Sequence, residues 1–367
     1  MSRTNTRRCW VEIDLEAVRH NAVVAKMRAG EGVALLAIVK ANAYGHGLAA
    51  VAQALADHAQ LFGVANLTEA LALRAFVPHP VMIMGPALPA ERAGIVQAGF
   101  IASVSSFAEA LEFSGACRSS PALLNCAIDS GMGRMGVSEA EAGVEITRIA
   151  ALPNVRLHSI STHLPSPDDA TYTHAQLERF GKLVRQLRSA VSSPVPVHSL
   201  PSAGVISFPE AAHEMVRAGL MLYGISPVAD FQKALRPALT WKTRVILLRT
   251  LEAGRTISYG RTFTANRPMR VATLSVGYAD GLPRAVSNRG AAVLIGGRRC
   301  AILGRVTMDL IVVDVSHVPG IALGDEAVLI GRQGEEEILA TEMAERASTI
   351  AWEIFTGIGT RVARVYL

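Results

Sequence analysis

Several residue patterns that would point to particular functions are missing from this sequence. The four cysteines in 367 residues show no CxxC spacing, which argues against a structural zinc site and against a disulfide framework. Apolar runs such as Val33–Val39 are far shorter than the roughly 20 residues that a membrane-spanning helix needs. Lysine is scarce, with five among the 36 basic residues, and the arginines are spread along the chain. The net charge of +5 therefore forms no basic cluster of the kind that binds nucleic acid.

An apolar leader is missing as well. The basic N-terminal stretch leads into Val11–Asp14, which contains two acidic residues, instead of the apolar core of a secretory signal. The sequence therefore predicts a cytoplasmic protein with no membrane partner and no nucleic-acid partner.

The chain does have a regular alternation of short apolar runs and amphipathic segments over its first two-thirds. Half of all residues are hydrophobic, and the length favours two domains. The eight runs are Val33–Val39, Leu61–Val64, Val81–Met84, Phe100–Val104, Ala122–Ile128, Val155–Ile160, Val195–Leu200 and Met215–Val216, the last continuing into Leu220. Strands that alternate with helices predict parallel βαβ units, and eight units fit a (β/α)8 TIM-type barrel of about 240 residues. We expect this barrel at residues 14–240, with a doubly wound open sheet as the alternative.

The pattern changes near Pro237, where short β-rich runs separated by Gly and Pro turns begin. The runs are Arg244–Leu248, Arg270–Val276, Ala291–Ile295, Ile311–Val315, Ala327–Ile330 and Arg361–Tyr366, with one helix at Ala340–Ala347. The sequence therefore predicts a mostly β C-terminal domain at residues 241–367. The strand-like Cys9–Ile13, within residues 1–13, is expected to pair with it.

Lys40 is the first candidate for chemistry, because it stands at the C-terminal end of the first apolar run. Side chains at this end of a barrel strand face the active site. Partial desolvation there disfavours the ammonium form and frees the amine for Schiff-base chemistry. The alternative is a lysine that only extends from a strand end to water.

Two short glycine-containing turns suggest a phosphate site. Ser202–Gly204 follows the seventh run and Ala218–Leu220 follows the eighth, which is where barrels often bind phosphate. Ordinary turn chemistry would explain the same residues. Gly131–Gly136 matches GxGxxG after the fifth run, but a lone match is weak, and Arg134 has no obvious role in a dinucleotide turn.

Taken together, ten segments resemble the alanine racemase family nearly from end to end. They are Trp10–Leu15, Val39–Gly47, Asp129–Gly136, Thr162–His163, Gln176–Phe180, Arg217–Pro227, Ser258–Phe263, Gly277–Gly281, Gly304–Asp309 and Gly324–Gly331. The resemblance implies a pyridoxal 5'-phosphate-dependent isomerase that interconverts L- and D-alanine. It also implies an N-terminal barrel, a C-terminal β domain and a head-to-tail homodimer whose sites are shared between subunits.

The resemblance also implies residue roles. Lys40 matches the lysine that holds the cofactor and acts as the base on the D face, and Tyr278 of the partner subunit matches the base on the opposite face. His163 and Arg217 match a hydrogen-bonded chain to that tyrosine, with Arg217 also facing the cofactor's pyridine nitrogen. The phosphate contacts correspond to Tyr44, Ser202, Gly219 and Leu220. The remaining matches are Arg134 near the cofactor's phenolic oxygen and the substrate carboxylate, Met308 of the partner subunit at that carboxylate, and Asp309 at the mouth of the site.

Three positions depart from the family pattern. Many members have a carbamylated lysine where this chain has Ala127, Asn where it has Pro201, and Tyr where it has Thr360. The carbamate normally holds the arginine that is Arg134 here, and a buried guanidinium without a partner is costly. We therefore expect another anion near Arg134, with chloride as the first choice and Asn125 or an acid from a neighbouring strand as the alternatives.

The alternatives to an alanine racemase differ in class. A racemase of broader or serine-type specificity is compatible with the same motifs, and substrate assays separate the two. A non-catalytic cofactor-binding protein would not need Tyr278 or the β domain. An NAD-dependent oxidoreductase depends on the weak glycine match alone.

Overall fold

A computed structural model describes residues 6–118, 120–191 and 194–367. The chain divides into two compact units. One holds Val18–Ala43 and Leu48–Arg236, and the other holds the described residues up to Ala17 together with Tyr44–Gly47 and Pro237–Leu367. The four residues from Tyr44 to Gly47 thus belong to the second unit, although they fall within the barrel range of 14–240 expected from sequence.

The first unit is a parallel barrel that is nearly closed, as the sequence predicts. Its eight strands are Ala34–Ile38, Leu61–Val64, Val81–Ile83, Ile101–Val104, Ala122–Asp129, Val155–Ser161, Val197–His198 and Met215–Ala218. Each pairs in parallel with the next along this order, and Met215–Ala218 pairs in parallel with Ala34–Ile38. A parallel bridge between Pro201 and Arg217 joins the seventh strand to the eighth. A two-residue strand, Val137–Ser138, adds to the fifth.

The first helix of the barrel precedes its first strand, and each later helix follows one of the first seven strands. The helices are Leu15–Ala29, Leu48–Leu55, Leu67–Arg74, Arg92–Gln97, Phe107–Ala116, Ala142–Ala150, Ala170–Ala190 and Ser202–Ser207. Four begin at side-chain caps, since Asp14, Asn66, Ser106 and Asp169 each accept a backbone N–H from the first turn. Each cap fixes the residue at which its helix begins. It therefore decides which residues lie in the loop between the preceding strand and that helix.

The glycine stretch after the fifth strand is a loop and not a dinucleotide turn. A dinucleotide fingerprint needs a helix that opens directly at the glycines. Here Gly131, Gly133 and Gly136 all have positive φ, and the next helix begins only at Ala142. The oxidoreductase alternative therefore loses its one supporting feature.

The second unit is mostly β, as predicted. Its strands are Cys9–Ile13, Leu239–Leu251, Thr256–Ile257, Phe263–Thr264, Met269–Leu274, Ala292–Ile295, Arg298–Leu303, Ile311–Asp314, Glu326–Gln333, Glu336–Ile338 and Ala363–Tyr366. Its helices are Ala340–Ala347 and Ala351–Gly357. Leu239–Leu251 is the central strand, since it pairs with Met269–Leu274, Glu326–Gln333 and Cys9–Ile13. Its pairing with Glu326–Gln333 closes six strands into a ring, and Cys9–Ile13 joins as expected.

Within the described part of the chain, no helix combines the length and apolar character needed to cross a membrane.

Candidate active site

Lys40 lies two residues beyond the first barrel strand, at its C-terminal end, and is partly buried. Burial lowers the pKa of its ammonium below the ordinary value, and the positive charge of Arg134 lowers that pKa further. The carboxylate of Glu69 acts in the opposite direction. A larger share of Lys40 is therefore the neutral, nucleophilic amine than would be true of a lysine in water.

The backbone immediately after Lys40 is left-handed. Four consecutive residues, Ala41 to Tyr44, have φ of 52°, 54°, 53° and 52°, and none is glycine. Each such residue costs roughly 1–2 kcal/mol, so the surrounding contacts must hold this turn. The Ala41 N–H donates to Oε1 of Glu69 at 2.8 Å, and the Leu48 N–H donates to Oδ1 of Asn42 at 2.8 Å. The second Glu69 oxygen accepts the N–H of Ala65 at 2.8 Å, which ties the turn to the end of the neighbouring strand.

Arg217, on the eighth strand, is buried and bonded to two histidines. Its Nη1 donates to Nδ1 of His198 at 2.6 Å, and its Nη2 donates to Nδ1 of His163 at 3.3 Å. The same two nitrogens also donate to three backbone carbonyls, those of Thr162, His198 and Ser199. Within the described residues, Nε is the Arg217 donor that has no acceptor.

The two histidines are held neutral. Burial lowers the pKa of His163 to about 3, and the charges of Arg217 and Arg134 act in the same direction. Burial, followed by the charge of Arg217, also lowers the pKa of the fully buried His198 well below its ordinary value. Because both Nδ1 atoms accept from Arg217, both imidazoles carry their proton on Nε2. Burial lowers the pKa of Arg217 only to about 10, so it keeps its charge at neutral pH.

The loops after the seventh and eighth strands are joined through Ser202. This residue begins the helix Ser202–Ser207, and its Oγ accepts the N–H groups of Gly219 at 2.9 Å and Met221 at 3.3 Å. Leu220 begins the following turn, Leu220–Tyr223. The Tyr223 hydroxyl donates to the carbonyl of Ile38 at 2.9 Å, two residues before Lys40. The suggested phosphate residues thus form one cluster that is linked to the lysine strand.

Arg134 lies in the glycine loop and is exposed, but its charge depresses the pKa values of Lys40, His163 and Arg217. Its charge is therefore close enough to act on all three groups. The expectation that Asn125 partners Arg134 is wrong: its amide nitrogen donates to Ser103 and Ser161, and its oxygen accepts from Ser159. Ala127, two residues along the strand, is buried.

Tyr278 and Met308 lie together in the second unit, on adjacent turns. The Tyr278 N–H donates to the carbonyl of Thr307, and the Ala279 N–H donates to that of Met308, both at 3.0 Å. A Cβ on Gly277 would lie 2.3 Å from the same two carbonyl oxygens, so only glycine permits this approach. The side chains of Tyr278 and Met308 are 42% and 52% exposed.

Tyr44 is also in the second unit, and it is buried. Burial raises the pKa of its phenol to about 12, so it is a hydrogen-bond donor at neutral pH. The segment that contains Tyr44 packs on the C-terminal helix, because the His46 ring contacts Phe355 edge-on with centroids 4.9 Å apart.

The structure thus bonds Arg217 to His163, whose pKa is also lowered by the charges of Arg134 and Lys40, and joins Ser202 to Gly219 beside Leu220. Sequence reasoning missed two contributors. Glu69 follows the N-cap Asn66 by three residues, which is a capping signal with no hint of its bond to Ala41. His198 is a polar residue inside an apolar run, and that oddity is the only signal it gives.

Comparisons with known proteins agree with this architecture. The family model for "Alanine racemase, N-terminal domain" matches residues 13–227, and that for "Alanine racemase, C-terminal domain" matches residues 238–366. The alanine racemase of Symbiobacterium thermophilum is 42% identical over 100% of this chain and 99% of its own length.

Solved structures give the same result. The alanine racemase of Bacillus anthracis with bound L-Ala-P has a TM-score of 0.89 at 34% identity, covering 98% of this chain and 95% of that one. The alanine racemase of Bartonella henselae, solved with covalently bound pyridoxal phosphate, has a TM-score of 0.89 at 27% identity, covering 98% and 100%.

The parallel barrel, the lysine site and the β domain of this chain together define an amino-acid racemase, which is an isomerase. The chain belongs to the alanine racemase family, whose members depend on pyridoxal phosphate.

Proposed function

We propose that this protein interconverts L- and D-alanine with pyridoxal 5'-phosphate held on Lys40, using Lys40 and Tyr278 of the partner subunit as its two bases. The observation that carries the proposal is a desolvated amine at a barrel strand end, within the influence of the Arg134 charge, while the charges of Lys40, Arg134 and Arg217 all act on His163. An anionic cofactor and an anionic substrate are the chemical partners that such a group of cations favours.

The residues present fit this cofactor. Its aldehyde suits the neutral amine of Lys40, and its phosphate suits the cluster of Ser202, Gly219 and Leu220, with Tyr44 as a further donor. Its ring nitrogen suits the Nε–H of Arg217, the guanidinium donor left without an acceptor in the described chain. When bound, the cofactor supplies an electron-withdrawing ring that acidifies the Cα–H of the attached amino acid. Arg217 keeps its own proton and limits that electron withdrawal.

Racemisation needs a proton to leave one face of Cα and another to arrive on the opposite face. Lys40 provides the base on one face only. His163 accepts from Arg217 through Nδ1, and its Nε2–H is therefore free to donate to a phenolate oxygen. A tyrosine that takes up the Cα proton is the partner this donor suits, and Tyr278 is the tyrosine that the family resemblance assigns.

A second copy of the chain completes the site in this proposal. Tyr278 and Met308 are large side chains that are exposed on turns with well-defined backbone bonding. Their exposure leaves both side chains accessible to a second chain. The proposal is therefore a homodimer in which each Tyr278 serves the other subunit's Lys40.

The substrate carboxylate is assigned to Arg134, with the backbone of Met308 of the partner subunit. The small side chains Ala127 and Thr360 stand where many relatives have larger ones, which favours a broader-specificity racemase, serine included, as the second candidate. A panel of amino acids with increasing side-chain size separates the two by their kcat/KM values.

The direct test is racemisation of L-alanine by the purified protein in the presence of pyridoxal phosphate. The change in optical activity is monitored by circular dichroism. Lys40→Ala should abolish turnover and the visible absorbance of lysine-bound cofactor. Lys182→Ala is the matched control, because Lys182 is exposed and pairs with Glu178 on its own helix. Turnover by Lys40→Ala at the wild-type rate, without added amine, would overturn the assignment. A wild-type protein that binds the cofactor but racemises nothing would favour the non-catalytic alternative.

Subunit sharing has its own test. Lys40→Ala and Tyr278→Phe chains should each be inactive, because a general base contributes about 10²–10⁴-fold. Hybrid dimers of the two have one site with both bases intact and should recover part of the activity. Isolated hybrid dimers that stay inactive would show that sites are not shared.

A further inference from the structure

Arg361 joins the turn that carries Tyr278 to the turn that carries Met308. Its Nε and Nη2 donate to the two oxygens of Asp280 at 2.7 and 3.0 Å, and Nη2 also donates to Oδ1 of Asp309 at 2.8 Å. Asp280 is the last residue of the Tyr278–Asp280 turn, and Asp309 directly follows Met308. One guanidinium thus bonds to both turns at once.

The Asp280 carboxylate is well placed to transmit this contact, because it is buried and already closes its own turn. Its Oδ2 accepts the N–H of Gly277 at 2.8 Å, and its backbone carbonyl accepts the N–H of Gly359 at 2.9 Å. A paired, buried carboxylate has little freedom to move, since leaving its charge unpaired is costly. Arg361 therefore completes the bonding of the residue that fixes the shape of the Tyr278 turn.

The loop before Arg361 is fixed independently. Gly281, at the end of the Tyr278 turn, lies so close to this loop that a Cβ would come within 2.3 Å of the Gly357 carbonyl oxygen. Arg364 holds the loop from within, because its guanidinium donates to the carbonyls of Ile358, Gly359 and Val362 at 2.6–2.8 Å. Arg361 therefore projects from a braced backbone.

We propose that Arg361 is a positioning residue, which fixes the direction of the Tyr278 phenol by holding its turn against that of Met308; this rests on the proposed function of Tyr278. Tyr278 is 42% exposed, so packing within its own chain leaves much of it uncovered. The direction of the Tyr278 phenol therefore depends on the backbone turn that carries it. Catalytic groups must be held within about 0.5 Å of their working position, and the Arg361 fork gives this turn a rigid attachment.

The experiment measures proton removal from the two enantiomers separately. Holoenzyme is assayed with L- and D-alanine carrying deuterium at Cα, because the family resemblance makes Lys40 the base on the D face, which leaves proton removal from L-alanine to Tyr278. Arg361→Gln should lower kcat about 10- to 100-fold, the scale expected when a catalytic group is misplaced. The primary isotope effect should rise with L-alanine and fall with D-alanine, since only the Tyr278 step is slowed. Arg361→Lys keeps the charge without the fork and should recover part of the rate.

Arg299→Gln is the matched control. Arg299 likewise bridges two carboxylates in the same unit, those of Glu336 and Glu342, and none of the hydrogen bonds described for it reaches either turn. Its loss should leave both isotope effects unchanged. Should Arg361→Gln fail to fold, Asp309→Asn removes one exposed arm of the contact and should give a smaller loss with the same asymmetry.

A wild-type kcat in Arg361→Gln, or isotope effects that change equally for both enantiomers in a folded variant, would overturn the inference alone. A wild-type protein that does not racemise alanine would overturn the proposed function, and the inference with it.

Discussion

Mild acid is expected to destabilise the folded chain, because His163 and His198 are held neutral. Burial depresses both pKa values, that of His163 to about 3. The unfolded chain, with ordinary histidine pKa values near 6.5, binds these protons first as the pH falls. The stability linked to each histidine is therefore complete above about pH 6.5, and it is lost as the pH drops towards the folded-state value.

The size of the effect follows from this linkage. Between pH 7 and pH 5.5, one histidine that stays neutral in the fold and titrates near 6.5 when unfolded costs about 1.3 kcal/mol. The two together cost about 2.5 kcal/mol, a large part of the roughly 5–15 kcal/mol that stabilises an ordinary domain. This pH window is chosen because lowered carboxyl pKa values, such as that of Asp129, affect stability only in stronger acid.

The assay is urea unfolding followed by circular dichroism, at fixed protein and cofactor concentrations because bound partners shift stability. His198→Asn keeps an acceptor for Arg217 and removes one titrating group. Its loss of stability between pH 7 and 5.5 should be smaller than the wild-type loss by about 1.3 kcal/mol. His317→Asn, at an exposed histidine of the β unit, is the control and should keep the wild-type slope. Equal pH sensitivity in wild type and His198→Asn would refute the reasoning.

Three further predictions concern the site. Arg217→Glu should raise the share of turnovers that end in transamination, measured as pyruvate, because a carboxyl can share a proton with the cofactor's ring nitrogen; an unchanged product ratio would contradict this. Activity should be insensitive to carbon dioxide and should respond to halide, since Ala127 cannot carry a carbamate to hold Arg134. Ala127→Lys should introduce carbon dioxide dependence. A wild-type rate that already varies with carbon dioxide would contradict this prediction. Gly277→Ala should reduce racemisation and lower Tm, because its methyl would lie 2.3 Å from the carbonyl oxygens of Thr307 and Met308; wild-type behaviour on both measures would show that the two turns can separate freely.

The barrel was predictable because buried parallel strands are apolar along their whole length. The seventh strand is shorter than the apolar run Val195–Leu200 predicts. The run contains Pro196, which has no N–H to donate, and the strand covers only Val197–His198. In the β unit the strand Arg298–Leu303 was missed, because it opens with two arginines. Arg299 is accommodated there by Glu336 and Glu342, which come much later in the sequence.

The site was predictable where a motif and a position agreed, as for Lys40 at a strand end. The turn from Ala41 to Tyr44 was not predictable, because of its four residues only Asn42 is of a type that commonly adopts the left-handed region, and then as a single residue. Its conformation depends on Glu69, a residue distant in sequence. The roles of Tyr278 and Met308, and a cytoplasmic location, stay predictions.

The segment Tyr44–Gly47 restricts how such proteins can evolve by exchange of parts. Its chain neighbours, up to Ala43 and from Leu48, belong to the barrel, yet a Cβ on Gly45 would lie 2.3 Å from the Phe355 carbonyl oxygen. Recombination near residue 237 would replace Phe355 with a foreign surface at Gly45 and His46, which are five and six residues along the chain from Lys40. A new C-terminal domain can therefore be inherited only if it reproduces the local shape at Phe355. The two units of the fold are therefore expected to be inherited together.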